Sequence, residues 1–225
     1  YKRQILIGDL ALSWADELLI ASGLPQAEIN RAKMVYDTMR TELMAGQYLD
    51  VLEQFRRQAS VDRARNVIRY KSAKYTIERP LHMGAAIANA SESQMHALTA
   101  YGLALGEAFQ LRDDVLGVFG DSVQTGKPSG DDIREKKQTL LLAHAMNSAA
   151  HRDALVAIMD KPEITAAEIA SAQEIITASG ALDLVETAIS QLRTEAIAAL
   201  SSADFAADAV SALNDLALMA TARNA

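Results

Sequence analysis

Apolar residues recur along this chain at the three- and four-residue spacing of amphipathic helices, and no segment shows the alternation typical of a strand. The spacing predicts helices over residues 5–21, 25–55, 60–74, 79–88 and 91–119, with further helices from about residue 134 onwards. Residues 91–94 and 165–168 have the pattern of a capping box, which marks a helix start. No repeat or linker divides the chain, so we predict one all-α domain, a helical bundle with Trp14 and the methionines in its core.

The clearest interruption is the segment 120–132, which is rich in residues that favour turns: Gly120, Gly126, Pro128 and Gly130. We therefore expect a loop between the helix at 91–119 and the helices that follow. Gly46 also interrupts a predicted helix, and we expect it to allow the close approach of a neighbouring element.

Composition and charge narrow the function classes. The 225 residues are 50% hydrophobic and 23% charged, and the formal net charge of −7 argues against a nucleic-acid surface. The absence of cysteine excludes disulfides and thiolate metal sites and is compatible with a reducing cytoplasm, where we expect the protein. No apolar run approaches the ~20 residues that span a bilayer, so we expect no transmembrane segment.

The acidic segment at the end of the 91–119 helix carries the strongest chemical signal. At about 100° per residue, a helix places five small or polar residues on one face: Gln110, Asp113, Asp114, Gly117 and Asp121. Adjacent carboxylates repel each other unless water or a cation offsets their charge, and oxygen ligands alone favour Mg²⁺. The alternative is a solvated acidic patch with Arg112 as its local counter-charge. The apolar surroundings and the adjoining loop favour a functional site.

Cations follow directly in the loop and in the next segment. Lys127 lies between Gly126 and Pro128, where flexible neighbours suit a cation that closes over an anion. The proline after this lysine and the lack of glycine at the required upstream spacing exclude a P-loop. Lys136 and Lys137 come one turn into the next segment, where the alternative is a solvated helix terminus.

Two further groups of polar residues lie upstream. Lys71, Ser72 and Tyr75 would share one helix face, which brings together a cation, a hydroxyl and an aromatic ring. Gln47 and Asp50 are three residues apart and would be neighbours on another helix. Each group by itself is typical of a solvated surface.

Taken together, these segments resemble the polyprenyl synthetase family, the trans-isoprenyl diphosphate synthases. Five matching motifs occur in the family's order. The first, residues 5–12, resembles the helix after the family's first aspartate-rich motif, and the second is Gly46-Gln47-x-x-Asp50. The third is Lys71-Ser72-Ala73-x-Tyr75, with serine in place of threonine, the fourth is Phe109-Gln110-x-x-Asp113-Asp114, and the fifth is Gly126-Lys127-x-x-x-Asp131-Asp132-Ile133. The fourth resembles the family's second aspartate-rich motif and the fifth its diphosphate-binding loop. Segments 75–81 and 112–121 are most similar to bacterial geranylgeranyl diphosphate synthases.

The resemblance implies the isoprenoid synthase fold, a helical bundle around a central active-site cavity. It implies a prenyltransferase that condenses an allylic diphosphate with isopentenyl diphosphate, giving geranylgeranyl diphosphate, in a protein that we expect to be a homodimer. It implies that Asp113 and Asp114 bind Mg²⁺ and that Asp132 supports the ion through water. The residues implied to bind or orient the allylic diphosphate are Lys71, Ser72, Gln110, Lys127 and Lys137; the three lysines are the implied catalytic residues, with Gln47 and Asp50 in support.

Two departures from the family pattern matter. The family often carries a third aspartate four residues after the first of the pair, but Gly117 stands at that position, and whether Asp121 replaces it is open. The first aspartate-rich motif is absent from residues 1–225. Because the chain begins at Tyr1 without a methionine, we expect the natural N-terminus and that motif to lie upstream of Ile5.

The resemblance leaves several alternatives for the product and the activity open. The product could be farnesyl or a longer polyprenyl diphosphate, and the chain could be a non-catalytic regulatory subunit of such an enzyme. A class I terpene cyclase or a squalene-type synthase shares the carboxylate and Mg²⁺ chemistry. Such an enzyme has less use for a lysine-serine segment together with a glycine-lysine loop.

Overall fold

A computed structural model describes residues 2–56, 60–121, 126 and 128–222, and these contain helices and connecting segments without a strand. The helices are α1 (Lys2–Ile20), α2 (Gln26–Arg56), α3 (Val61–Val67), a π-helix (Ile68–Glu78), α4 (Arg79–Ile87), α5 (Glu92–Phe119), α6 (Asp131–Arg134), α7 (Leu140–Asn147), α8 (Arg152–Met159), α9 (Ala166–Ala178), α10 (Ala181–Ala199) and α11 (Ala207–Thr221). This confirms the prediction of an all-α bundle. Both predicted capping boxes are present, at the start of α5 and of α9.

One boundary prediction is wrong, because the helices predicted at 60–74 and 79–88 form one continuous helical run from α3 to α4. Its middle, Ile68–Glu78, is a π-helix, in which backbone hydrogen bonds reach one residue further than in an α-helix. Pro80 does not break the run and lies where the π-helix passes into α4, in the first turn of α4.

The π-helix is held between α2 and α5 at distances that only glycine permits. A Cβ atom at Gly46 of α2 would lie 2.5 Å from the backbone nitrogen of Lys71. A Cβ atom at Gly106 of α5 would lie 2.4 Å from Cα of Ala73. The expected role of Gly46 in close packing is therefore confirmed, and the two glycines bring residues 71–73 into direct contact with both long helices.

A junction of charged side chains ties α2 to the π-helix and to α4. Glu42 of α2 accepts hydrogen bonds from Nε and Nη2 of Arg79 at 2.7 and 2.8 Å. It also accepts one from Lys74 of the π-helix. Fork-shaped pairing of this kind fixes the relative orientation of the partners. It therefore fixes the register of the π-helix against α2.

Helix α5 runs through the hydrophobic core and supports the acidic segment. In its C-terminal half, Leu111 and Val115 pack in a cluster with residues of α7, α8, α9 and α10. In its N-terminal half, Tyr101 and Leu105 pack against the end of α10 and against α11. The hydroxyl of Tyr101 donates a hydrogen bond to the backbone oxygen of Leu213 at 2.6 Å. Asp113 and Asp114 thus lie on a helix whose other faces are locked in the core.

Helix α1 differs from the rest, since none of its residues is buried within the described chain. Trp14, which we expected in the core, is 56% exposed, and several methionines are exposed as well. Within the described residues the main packing partner of α1 is α2, and their contact is small, which explains the exposure of α1. Although α1 is rich in apolar residues, no described helix is long and apolar enough to cross a membrane.

Candidate functional site

A cavity of about 80 Å³ lies where α2, the π-helix, α5 and the segment before α7 meet. Among the described residues, its polar lining includes six that were predicted from the sequence: Asp50, Lys71, Ser72, Gln110, Asp114 and Lys137. Apolar side chains of α3, the π-helix and α7 complete the wall. Residues that are up to 87 positions apart in the chain therefore share one site.

A relay of hydrogen bonds crosses the cavity from the π-helix to α5. The hydroxyl of Ser72 donates to Oε1 of Gln110 at 2.6 Å. The amide nitrogen of Gln110 in turn donates to Oδ1 of Asp114 at 2.9 Å. The first bond occupies the amide oxygen, so the amide N–H groups must face the carboxylate. Ser72 on the π-helix thereby orients, through Gln110, the acidic residue Asp114 on the adjacent helix α5.

Two lysines stand at the cavity, each paired with a carboxylate. Nζ of Lys71 lies 2.6 Å from Oδ2 of Asp50, and Nζ of Lys137 lies 2.7 Å from Oδ1 of Asp132. Burial lowers the pKa of Lys137, but the hydrogen bond and the charge of Asp132 outweigh it, so the pKa is raised overall. Both lysine side chains keep more than a third of their surface exposed, which leaves donors available to an anion in the cavity.

Asp114 is the electrostatic centre of the site. It is only 4% exposed, and this burial raises its pKa to about 7. The hydrogen bond from Gln110 and the charge of Lys137 oppose the shift, while the charges of Asp132 and Asp113 add to it. A buried carboxylate that is this costly to ionise favours a cation beside it.

The structure separates the five residues predicted on one acidic face. Helix α5 ends at Phe119, and Gly120 is extended, so Asp121 is past the helix and does not continue the face. Asp113 is exposed while its neighbour Asp114 is buried. Gly117 faces the side chain of Asp132. The helical prediction failed at Asp121 because the chain leaves the helix at Gly120.

Two other predicted residues, Gln47 and Tyr75, lie apart from the lining, and a third is not described. Gln47 is exposed and Tyr75 is 44% exposed, and neither is among the described residues that line the cavity. The wider turn of the π-helix, which the sequence pattern does not reveal, changes where Tyr75 points relative to Ser72. The prediction for Lys127 falls outside the described residues.

Sequence reasoning missed the roles of three residues. Arg112 is not a local counter-charge for the acidic pair, because it binds both oxygens of Glu186 at 2.6 and 2.7 Å and the backbone oxygen of Thr221 at 3.1 Å. Gln138 and Thr139 also line the cavity. Thr139 caps α7 by accepting from the backbone N–H of Leu142 at 3.2 Å, and a threonine before a leucine run was a usable signal.

The carboxylates fit a Mg²⁺ ion that is shared with a phosphate ligand. No group of three or more potential metal-ligating side chains converges among the described residues, so they do not form a closed protein cage. Mg²⁺ is usually held by one or two carboxylates together with phosphate oxygens and water. Buried Asp114, with Asp113 beside it and lysines nearby, matches that donor set.

The structure thus defines an all-α helical bundle in which acids and lysines gather around one cavity. The chain belongs to the polyprenyl synthetase family, whose model matches residues 1–176. It is 33% identical over 186 residues to the geranylfarnesyl diphosphate synthase of Aeropyrum pernix, covering 81% of this chain and 58% of that protein. It is 34% identical over 182 residues to the (2E,6E)-farnesyl diphosphate synthase of Mycobacterium tuberculosis (strain ATCC 25618 / H37Rv), covering 78% and 50%.

A solved structure shows the same relationship. The geranylgeranyl pyrophosphate synthase of Corynebacterium glutamicum, complexed with isoprenyl diphosphate and magnesium, superposes with a TM-score of 0.94 at 44% identity. The match covers 98% of this chain and 63% of that one. The chain thus spans about half to two thirds of the length of these relatives.

Proposed function

We propose that the protein is a trans-prenyltransferase that condenses an allylic diphosphate with isopentenyl diphosphate and forms geranylgeranyl diphosphate. The observation that carries the proposal is the single cavity lined by Lys71, Lys137 and Asp114, with the serine–glutamine relay between them. Membership in the polyprenyl synthetase family supports the same reaction class.

The lysines are the groups that bind the allylic diphosphate in this proposal. Lys71 reaches the cavity from the π-helix and Lys137 from the segment before α7, so they would contact the anion from two sides. Lys127 is the third lysine of the proposed set. When the allylic C–O bond breaks, negative charge grows on the departing pyrophosphate, and preoriented ammonium groups stabilise that charge.

Polar neighbours keep these groups in place. Asp50 holds Lys71 through the 2.6 Å ion pair, and Gln47 supports the same face of α2 in the proposal. Ser72 and Gln110 orient the diphosphate and the carboxylate of Asp114. The double bond of isopentenyl diphosphate then attacks the allylic cation and a proton leaves, without a protein nucleophile.

Asp113 and Asp114 are the residues that would hold Mg²⁺, with Asp132 in support. When bound, the ion supplies positive charge that offsets the diphosphate oxygens. Asp114 would lie beneath the diphosphate because it is buried at the cavity wall, whereas Asp113 is exposed and would approach from the rim.

Incorporation of labelled isopentenyl diphosphate into longer diphosphates tests the reaction. Purified full-length protein is assayed with dimethylallyl, geranyl and farnesyl diphosphate as primers, and the products are separated by chromatography after dephosphorylation. Lys71→Ala and Lys137→Ala should lose most of the incorporation, while Lys161→Ala, on an exposed lysine paired with Glu168, should keep it. Absence of incorporation with every primer contradicts the synthase and favours a regulatory subunit or a cyclase.

The geranylgeranyl product is the finer part of the proposal. Relatives in the family carry the names of farnesyl, geranylgeranyl and geranylfarnesyl diphosphate synthases, so product length varies among similar chains. The likeness to the Corynebacterium glutamicum enzyme at 44% identity supports the twenty-carbon product. A main product of fifteen or twenty-five carbons in the same chromatogram overturns this part alone.

We also propose that the protein is a homodimer in which α1 is buried. Leu6 is 67% exposed and Leu18 72% exposed, and apolar residues surround the helix. A helix that is apolar on all sides is typical of a buried position. Light scattering after gel filtration should give twice the chain mass, and Leu18→Glu should reduce it. A monomer at every protein concentration contradicts the dimer.

A further inference from the structure

The short helix α6 ends in a Schellman motif, a turn in which the two residues after the C-cap, here Glu135, bond back to the last helical turn. The backbone N–H of Lys136 donates to the oxygen of Ile133 at 3.0 Å, and that of Lys137 donates to the oxygen of Asp132 at 3.0 Å. The first residue after the cap is left-handed in this motif, and φ of Lys136 is +56°. Glycine is usual there, because a side chain makes this conformation costly by about 1 kcal/mol or more.

The turn brings the side chains of Lys137 and Asp132 together. A Schellman motif places the second residue after the cap beside the third residue from the helix end. These two residues are Lys137 and Asp132, and Nζ of Lys137 lies 2.7 Å from Oδ1 of Asp132. Lys137 also lines the cavity of about 80 Å³. The direction in which Lys137 enters that cavity therefore depends on the left-handed backbone at Lys136.

Lys136 lines a different cavity, of about 1060 Å³, together with residues of α2, α7 and α8. Its Nζ donates a hydrogen bond to the backbone oxygen of Lys161, just after α8. The backbone oxygen of Lys136 accepts a hydrogen bond from the side-chain amide of Gln138 at 3.3 Å. Gln138 lines both cavities, so the segment that carries the two lysines forms the wall between them. Lys136 is thus held through its side chain and through its backbone, which offsets the cost of its conformation.

We propose that Lys136 is a positioning residue: its bond to Lys161 holds the left-handed turn, and the turn directs Lys137 into the diphosphate cavity. A residue with a side chain and no such bond would relax toward a right-handed backbone and move Lys137. The charge of Lys136 is not needed for this role, because its side chain lines the other cavity. The inference rests on the proposed function, since it takes Lys137 to be a group that binds the diphosphate.

The affinity for pyrophosphate in the presence of Mg²⁺, measured by calorimetric titration of the full-length protein, tests the inference. Lys136→Ala should weaken binding by about threefold or more. Lys136→Gly should bind within about twofold of the wild type, because glycine adopts the left-handed conformation without a tether. Lys136→Arg keeps a donor for the backbone oxygen of Lys161 and should also retain affinity. Arg152→Ala, which removes another exposed cation from the larger cavity, is the matched control and should leave affinity unchanged.

A double-mutant cycle shows whether Lys136 acts through Lys137. In the Lys137→Ala background, Lys136→Ala should change the affinity by less than about twofold, because the group that it positions is gone. An equally large loss in that background overturns the inference. Wild-type affinity in Lys136→Ala, a loss in Lys136→Gly as large as that in Lys136→Ala, or an equal loss in Arg152→Ala overturns it as well.

Hydrogen exchange of the backbone amides of Lys136 and Lys137 measures the turn without any ligand. Lys136→Ala should speed their exchange relative to the wild type, whereas Lys136→Gly should keep the amides protected. Equally slow exchange in the wild type and in Lys136→Ala overturns the inference. If Lys137→Ala binds pyrophosphate like the wild type, the proposed role of Lys137 is contradicted, and the exchange rates still decide whether Lys136 holds the turn.

Discussion

The hydroxyl of Ser72 donates to the amide oxygen of Gln110 at 2.6 Å, although 38 residues separate them in the chain. This contact fixes which end of the amide faces Asp114. It depends on the close approach of the π-helix to α5, which Gly106 permits. The acid of the site is therefore positioned by a residue on a different helix.

Ser72→Ala should disconnect this relay. Removing the hydroxyl leaves the amide oxygen of Gln110 without its donor and should lower the free energy of unfolding by about 1–2 kcal/mol. Turnover should fall as well, because the amide is then free to turn away from Asp114. Chemical denaturation and steady-state kinetics measure the two effects. Ser72→Thr keeps the hydroxyl and should restore most of both; equal losses in the two variants would contradict the relay.

Asp113→Ala should lower turnover by orders of magnitude and leave the helical fold intact. Asp113 is exposed, so its removal deletes a proposed metal ligand without opening the core. Asp215→Ala, which removes an exposed acid from α11, is the matched control and should keep full activity. Near-normal turnover in Asp113→Ala would contradict the assigned role.

Asp114→Asn should stabilise the metal-free protein above pH 7. Because burial raises the pKa of Asp114 from 3.8 to about 7, the native state holds this proton more tightly than the unfolded state. This contribution to stability is complete below pH 4, is lost as the pH rises to 7, and stays lost at higher pH. The variant removes the cost, on the order of 2–4 kcal/mol.

Thermal unfolding in the presence of a chelator, followed from pH 5 to pH 8.5, measures this effect. The wild type should lose stability relative to Asp114→Asn as the pH rises, and the variant should also lose binding of metal and pyrophosphate. Parallel stability profiles for the two proteins would show that Asp114 does not carry the shifted pKa.

Gly106→Ala should both destabilise the protein and impair the site. Its Cβ atom would meet the backbone of Ala73, which cannot move without shifting the π-helix and Ser72. Overpacking of this kind costs about 1–3 kcal/mol. Gly84→Ala in α4 is the control, because nothing lies within 4 Å of its added Cβ, and it should gain roughly 0.5–1 kcal/mol. Denaturant titrations of both variants decide the matter, and a stable, active Gly106→Ala would be contrary to the packing described.

Lys136→Gly should stabilise the protein. Lys136 has φ of +56°, the left-handed region that costs a non-glycine residue about 1 kcal/mol or more. Its side chain also bonds to the backbone oxygen of Lys161. Lys136→Ala removes that bond but keeps the strained backbone, so it should show no gain. Differential scanning calorimetry compares the melting temperatures, and equal values for the two variants would argue against strain.

Much of the site could be predicted because its polar residues lie in short sequence motifs. Asp113 and Asp114, Lys71 and Ser72, and Lys137 stand in segments whose residue types indicate a phosphate and a hard cation. The cavity brings together six of the predicted side chains. The starts of α5 and α9 could be predicted at their N-caps, Ser91 and Thr165, because a capping box is an interaction between residues three positions apart.

The contacts between distant residues could not be predicted from these local patterns and depend on the tertiary structure. Helix formation and capping depend on neighbours within one turn, so residue order is enough to predict them. The burial that raises the pKa of Asp114, the reach of Arg112 to Glu186 and Thr221, and the entry of Asp132 into the space beside Gly117 all join distant parts of the chain. Such contacts depend on how whole helices pack, and the wide turn of the π-helix and its glycine contacts set that packing here.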